Sequence, residues 1–130
     1  MQKAAIGTRI YQGLLAIIFT GFGVLHLVAP PPIRENMVAL GIEWMLPIVG
    51  TVEIIGGVAL FAALSVPRLT GLAALWCVAV MAGAVLSHLR VGDFAGSVPA
   101  SVILVLPLVL VFLRRHDLTA FLRSPQAAGA

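Results

Sequence analysis

The sequence carries little charge. Aspartate, glutamate, lysine and arginine make up 10% of its 130 residues, whereas hydrophobic residues make up 61%. A soluble domain carries about 25% charged residues, so this composition excludes an ordinary soluble fold. The sequence pI is about 10.0, but the basic residues lie at the edges of apolar segments, where they orient membrane proteins. We therefore expect the lipid bilayer as a partner and no nucleic acid.

Cysteine and cofactor motifs are also scarce. The single cysteine, Cys77, cannot form a disulfide within the chain. It falls in the middle of an apolar segment, where a free cysteine is usually a small buried residue. The sequence contains no haem or flavin motif, and one cysteine excludes dithiol chemistry within the chain. Any electron donor would therefore have to come from a partner protein.

In place of charge and cysteine, the sequence has four long apolar segments and no stretch with the period of a β-strand. Each segment is long enough to cross the bilayer core, which needs about 20 helical residues. We predict an all-α fold, a four-transmembrane-helix bundle that forms one domain over residues 1–123, with a disordered tail at 124–130. The four helices are predicted over residues 10–28, 45–64, 69–89 and 98–113, and Ser97 is the start signal of the last one.

The segment between the first two helices, residues 29–44, is predicted to contain a short interfacial helix. Its apolar residues Ile33, Met37 and Leu40 recur at helical spacing. This pattern is typical of a short helix that lies on a membrane surface. Trp44 follows it and is expected to mark the outer membrane interface.

Lysine and arginine are distributed unevenly around the four segments. Of the 8 Lys and Arg residues, all lie on one side except Arg34 and Arg90. Cytoplasmic loops carry the excess of Lys and Arg in membrane proteins. We therefore expect both termini in the cytoplasm and a location in the inner (cytoplasmic) membrane of a bacterium.

Glu53 is the residue most indicative of a site, because the rest of its apolar segment, residues 46–64, is uncharged. A carboxylate in the membrane is costly unless it is protonated, paired or facing an internal cavity. In the predicted topology, two histidines reach the same outer half of the bundle as Glu53. We predict that Glu53, His26 and His88 contact a ligand. Two further residues are predicted to give polar support to this site: Arg90 and Asp93.

Glycines accompany the predicted site. Gly50, Glu53 and Gly57 recur at i, i+3 and i+7, which places the carboxylate on a narrow glycine face of its helix. Small residues allow membrane helices to approach closely. The glycines predicted to pack helices together are Gly23, Gly50, Gly56, Gly57 and Gly83.

Two interpretations of Glu53 remain open from the sequence. The residue either holds the bundle together, as a protonated carboxyl bonded to another helix, or forms a site for a ligand or a proton. His26 and His88, taken singly, are typical of residues that cap a helix at the membrane interface. Two histidines and one glutamate could bind a metal ion, but the chain has no short-range ligand spacing, and we predict no metal site.

Three stretches resemble the DoxX-like family of small four-helix membrane proteins. They are GFGVLH at residues 21–26, GTVEIIGG at 50–57 and MAGAVLSH at 81–88. The resemblance covers most of the chain and implies the four-helix fold. The family is named for a subunit associated with thiosulfate:quinone oxidoreduction, and its wider relatives include proteins near redox systems and chaperones of membrane receptors. The resemblance therefore implies either a redox role or an assembly role.

The predicted function is to bind a quinone or another small lipophilic molecule in an outer-facing pocket, as part of a membrane redox system. The carboxylate and the histidines would bind its head group, and apolar residues would supply most of the contact. Beyond a quinone, no cofactor is indicated. The chain is expected to be a subunit of a quinone-linked oxidoreductase rather than an enzyme on its own. The predicted ligand contacts are Glu53, His26, His88, Met81, Trp44 and Phe22.

Two other functions remain open. A structural or assembly protein would bind a partner through its small-residue faces. That partner would be a membrane or redox protein, or a second copy of this chain in a homo-oligomer. A small proton-coupled transporter of the multidrug type fits less well, because that family has its membrane glutamate in the first helix, where this chain has His26.

Overall fold

The computed structural model describes residues 2–123, and the predicted disordered tail at 124–130 lies outside the described residues. Within this range the chain forms α-helices and no β-strand, which confirms the all-α prediction. Two 3₁₀ turns, Glu43–Met45 and Pro67–Leu69, precede the second and third long apolar helices. The helices are α1 (Gln2–Val28), α2 (Pro31–Ala39), α3 (Leu46–Ser65), α4 (Thr70–Arg90), α5 (Phe94–Leu113) and α6 (Arg115–Arg123).

Four of these helices, α1, α3, α4 and α5, are long and apolar enough to cross a membrane. Only 17% of the α5 span and 28% to 33% of the other spans are buried inside the protein. Most of their apolar side chains therefore face outward, which would cost about 25 cal/mol per Å² in water. The same surface matches the hydrocarbon of a bilayer. The protein is an integral membrane protein.

Two helices, α1 and α6, differ from the prediction at the end of the bundle where the chain begins. α1 begins at Gln2, well before residue 10, because hydropathy marks the membrane span and not the end of the helix. Arg9 lies in this extension and donates to the Leu64 carbonyl at 3.1 Å. α6 was also not predicted from the sequence, because this helix is too short and too polar to span a membrane. Leu118 of α6 packs on Gly71, where an added Cβ would lie 2.7 Å from Leu118 Cγ.

The start of α5 also differs from the prediction, since the helix begins at Phe94 and not at residue 98. Asp93 caps it, and its side chain accepts from the Gly96 amide at 2.9 Å. Ser97, the predicted start signal, lies inside the helix, where its hydroxyl donates to the Phe94 carbonyl at 2.7 Å. The helix therefore starts at its capping side chain, ahead of the hydrophobic run.

The segment between α1 and α3 contains the predicted short helix, α2, which folds back over the long helices. Met37 of α2 and Leu40, the residue directly after it, are each 4% exposed and cluster with Leu46. Gly41, at φ 69°, turns the chain away after α2, in a backbone region that favours glycine. Arg90 donates to the Leu40 carbonyl at 2.6 Å, so it ties α2 to the end of α4.

Glycines lie at the closest contacts between α1 and α3. A Cβ at Gly23 would lie 2.6 Å from the Gly50 carbonyl oxygen, and one at Gly50 would lie 2.7 Å from the Gly23 carbonyl oxygen. A Cβ at Gly57 would lie 2.8 Å from the Ala16 carbonyl oxygen. Real Cβ atoms essentially never approach backbone this closely. Any larger residue at these positions would push the two helices apart.

Gly56 packs α3 against α4, whereas Gly83 does not pack helices. A Cβ at Gly56 would lie 2.9 Å from Cys77 Sγ. The neighbouring Trp76 donates to the Val52 carbonyl at 2.9 Å and joins the same two helices. A Cβ at Gly83 would meet nothing within 4 Å. The packing prediction for Gly83 was wrong, because the helices enclose a cavity at this level and Gly83 lines it.

The two halves of the bundle are filled differently. We call the half near residues 29–45 and 91–93 the α2 end, and the half near residues 66–69 and 114–123 the α6 end. Side chains toward the α6 end form a continuous hydrophobic core, and Gln12 adds a buried bond of 2.9 Å to the Leu60 carbonyl. The α2 end is not filled and contains the cavity. The core residues are Leu15, Ala16, Phe19, Leu60, Ala73, Ala74, Cys77, Met81 and Leu110.

Candidate ligand cavity

The α2 end of the bundle encloses a cavity of about 630 Å³. Residues from α1, α3, α4 and α5 form its walls, and α2 lies over it as a roof. Binding sites for small molecules usually have volumes of about 300–1,000 Å³, apolar walls and a few placed polar groups. This cavity fits that description. The polar side chains that line it are those of His26, Asn36, Glu53, Ser87 and His88.

Glu53 and His26 form a hydrogen-bonded pair between α3 and α1. Nδ1 of His26 lies 2.7 Å from Oε2 of Glu53 and 3.0 Å from the Phe22 carbonyl oxygen. Because a carbonyl can only accept, Nδ1 must carry a hydrogen, and Glu53 accepts from it. Glu53 is 2% exposed, and His26 is its only side-chain partner among residues 2–123. The buried carboxyl thus has the partner that its position in an apolar span requires.

His88 and Asp93 form a second pair at the turn between α4 and α5. Nδ1 of His88 lies 2.8 Å from Oδ2 of Asp93, while Oδ1 accepts from the Gly96 amide. The Gly96 amide, and then His88, hold the pKa of the Asp93 carboxyl below its ordinary value, because both favour the charged form. Asp93 is therefore ionised at neutral pH, and His88 donates to it from Nδ1.

Both histidine rings are held in the same way. Each donates from Nδ1 to a carboxylate, and neither Nε2 has a hydrogen-bond partner within the described residues. A neutral ring offers a lone pair at Nε2, and a protonated ring offers a hydrogen. Because the bond at Nδ1 sets which nitrogen is free, each ring can bind either a hydroxyl or a carbonyl group of a ligand.

The other predicted ligand contacts fall in two places. Phe22 and Met81 line the cavity with His26. Trp44 does not line it: the residue is 69% exposed and borders a separate, shallow depression of about 440 Å³, which His26 also borders. The 3₁₀ turn before α3 places Trp44 on the outside of the bundle, a position that hydropathy alone does not reveal.

The two residues predicted to give polar support lie behind the cavity. Arg90 holds the roof through its bond to the Leu40 carbonyl, and Asp93 orients His88. Neither residue lines the cavity itself. Both therefore act on the site through a neighbour.

Sequence reasoning missed two polar residues of the cavity, Asn36 and Ser87. Asn36 lies one turn from Leu40 on α2, so the helical period of that segment could have placed it on the inward face. Ser87 directly precedes His88, and its hydroxyl donates to the Gly83 carbonyl at 2.8 Å. No signal in the sequence distinguishes Ser87 from an ordinary helix serine.

Groups of three or more His, Cys, Asp or Glu side chains arranged as metal ligands do not occur within residues 2–123. The two histidines of the cavity instead form separate pairs, each with one carboxyl group. One pair is Glu53 with His26, and the other is His88 with Asp93. The arrangement is suited to hydrogen bonding and to proton exchange.

The fold and the cavity define the class of this protein: a small four-span membrane protein with a chamber between its helices. The chain belongs to the DoxX-like family, whose sequence model matches residues 10–111. The match confirms the family resemblance and includes all four paired residues, Glu53, His26, His88 and Asp93. No curated protein and no solved structure matches the chain.

Proposed function

We propose that this protein binds a small lipophilic molecule with a polar head group, such as a quinone, in the cavity, and serves as a subunit of a membrane redox system. The observation that carries the proposal is an apolar cavity of about 630 Å³ with two carboxylate-oriented histidines in its wall. The proposed location is the bacterial inner membrane, with both termini in the cytoplasm.

The hydrogen-bonding groups of the cavity suit a quinone in either redox state. Quinone carbonyls accept and quinol hydroxyls donate, and Nε2 of each histidine meets either group according to its protonation. A lipophilic ligand already resides in hydrocarbon, so apolar contact adds less to its affinity than it would in water. The polar pairs therefore decide much of the affinity, and the apolar walls decide which shapes fit.

The chain binds and positions the ligand but supplies no electron carrier of its own. It has one cysteine, Cys77, which is buried, and the sequence has no haem or flavin motif. In the proposed function, a redox partner protein therefore exchanges electrons with the bound molecule. This protein acts as the binding subunit.

The bond between His26 and Glu53 also joins α1 to α3, so a purely structural role must be separated from binding. The same two helices are already held in backbone contact at Gly23, Gly50 and Gly57. Loss of one polar bond should therefore leave the bundle folded. Stability and binding can then be measured side by side.

The test is binding of decylubiquinone, a quinone with a short tail, to the detergent-solubilised protein. Glu53→Gln should weaken binding by about tenfold or more, because a hydrogen bond to a charged group contributes about 1.5–3 kcal/mol. The unfolding temperature is measured on the same samples. Glu35→Gln is the matched control, because Glu35 is an exposed glutamate of α2 that does not line the cavity.

Two results would contradict the proposal. One is the absence of decylubiquinone binding to the parent protein. The other is unchanged affinity in both Glu53→Gln and His88→Gln, which would leave the pairs as links between helices. A structural or assembly role would then be favoured, and co-purification of a partner protein with the Glu53→Gln variant would support it.

A further inference from the structure

His26 borders two separate spaces at the α2 end. One is the cavity that also contains Glu53, and the other is the shallow depression on the surface. The His26 side chain is 17% exposed and that of Glu53 is 3% exposed. The histidine therefore stands between a nearly buried carboxyl and a surface that water reaches.

The depression is open to solvent and contains an ion pair. Nη1 of Arg34 lies 3.6 Å from Oε1 of Glu43, and the two side chains are 60% and 48% exposed. Charged side chains this exposed are hydrated, so water has access to the depression where His26 borders it. His26 is the only polar contact that links Glu53 to this side within residues 2–123.

We infer that His26 carries protons between Glu53 in the cavity and the water in the depression at the α2 end. The inference extends the proposed function, since the route ends at the proposed ligand site. Its test uses no ligand, so the two can fail separately. The route would let a bound molecule gain or lose a proton from one side of the membrane only.

The transfer uses the hydrogen bond between His26 and Glu53 together with water that reaches His26 from the depression. While Nε2 of His26 is not bound to a ligand, a hydronium ion gives it a proton, and the Nδ1 proton passes to Oε2 of Glu53 along the 2.7 Å bond. One O–H bond of the hydronium ion and one N–H bond break, one N–H bond and one O–H bond form, and no electron moves. A bare Nδ1 would face the Phe22 carbonyl lone pair to lone pair, so this carbonyl favours the return of the proton. The exchange is thus reversible.

Few charged or titratable groups face His26. Glu53 comes from α3, Arg34 from α2 and Glu43 from the 3₁₀ turn before α3. His88 of α4 lines the same cavity, and α5 lines it without a titratable side chain. Arg34 and Glu43 carry opposite charges. From the depression, they should therefore affect proton exchange at His26 in opposite directions.

The experiment is infrared difference spectroscopy on oriented proteoliposomes after a pH step on one side. A step at the α2 end should produce carboxyl and imidazole bands that Glu53→Gln abolishes, and a step at the α6 end should produce none of these Glu53-dependent bands. His26→Gln should slow the response at least tenfold, because an amide donates to Glu53 but does not exchange protons in this pH range. Glu53-dependent bands after a step at the α6 side, no such bands after a step at either side, or an unchanged rate in His26→Gln would overturn the inference.

A second set of variants tests the inferred proton route even if His26→Gln does not fold. Arg34→Gln and Glu43→Gln should move the midpoint of the response in opposite directions, and added salt should reduce both shifts, since exposed charges are screened. Arg68→Gln is the control, because Arg68 is an exposed cation at the α6 end and should cause no shift. Equal midpoints in all three variants would overturn the inference.

Discussion

Single carboxylates orient both histidines of the cavity, but they come from different places in the chain. Glu53 reaches His26 from another helix, whereas Asp93 reaches His88 from the turn directly after the same helix. Asp93 has a second task, since it also caps α5. A change at Asp93 therefore affects the ring of His88 and the start of α5 together.

The capping role of Asp93 predicts how stability depends on pH. The pKa of Asp93 is lower in the folded protein than its ordinary value, so the folded state binds fewer protons. The stabilisation is present above the unfolded pKa and is lost as the pH falls through the folded pKa. Asp93→Asn should lack this acid-range loss. The measurement is the unfolding temperature of the parent protein and of Asp93→Asn as a function of pH. Parallel curves for the two proteins would contradict the prediction.

At the scale of elements, the helices pair by backbone contact on one side of the cavity and stand apart where the cavity lies. Gly57 of α3 lies against α1, where an added Cβ would meet Thr20 Oγ1 and the Ala16 carbonyl. Gly83 of α4 faces the cavity, where an added Cβ would meet nothing within 4 Å. The two glycines have the same intrinsic cost in a helix but different surroundings.

This contrast predicts opposite effects of one substitution. Gly57→Ala should destabilise the protein by about 1–3 kcal/mol, because a methyl group in a filled contact forces the helices apart. Gly83→Ala should cause no loss, since alanine is the better helix former and space is available. Unfolding in detergent measures both, and each variant is the control for the other. Equal destabilisation by the two would show that Gly83 is also a packing residue.

At the scale of the whole molecule, the bundle is filled toward the α6 end and open at the α2 end. The roof depends on few contacts, among them the bond from Arg90 to the Leu40 carbonyl. The basic residues are concentrated at the α6 end, where Arg9, Arg68 and Arg115 lie. In membrane proteins the end richer in Lys and Arg usually faces the cytoplasm, so we predict this orientation for the α6 end. The cavity would then open toward the outer face.

This orientation can be measured by cysteine labelling in a Cys77→Ser background. Glu35→Cys, on α2, should react with a membrane-impermeant reagent added to intact cells. Arg115→Cys, on α6, should react only after the membrane is opened, because the excess of Lys and Arg predicts that this end lies inside. Labelling of Arg115→Cys and not Glu35→Cys in intact cells would reverse the predicted orientation.

The four spans and the depth of the ionisable residues could be predicted from the sequence alone. Apolar length is a local property that decides whether a helix can cross a bilayer. A rise of 1.5 Å per residue places Glu53, His26 and His88 at similar depths once the topology is assumed. The spacing of Gly50, Glu53 and Gly57 likewise predicts a close helix contact before the partner helix is known.

Only the tertiary structure decided which side chains meet. Residues at the same depth can face each other, the lipid or a cavity, depending on how each helix is rotated against its neighbours. That rotation paired Glu53 with His26 and directed Gly83 into the cavity. A turn left Trp44 outside it. Helix rotation is set by packing summed over a whole interface, and the cavity is space left by four helices together, so neither can be read from a single segment.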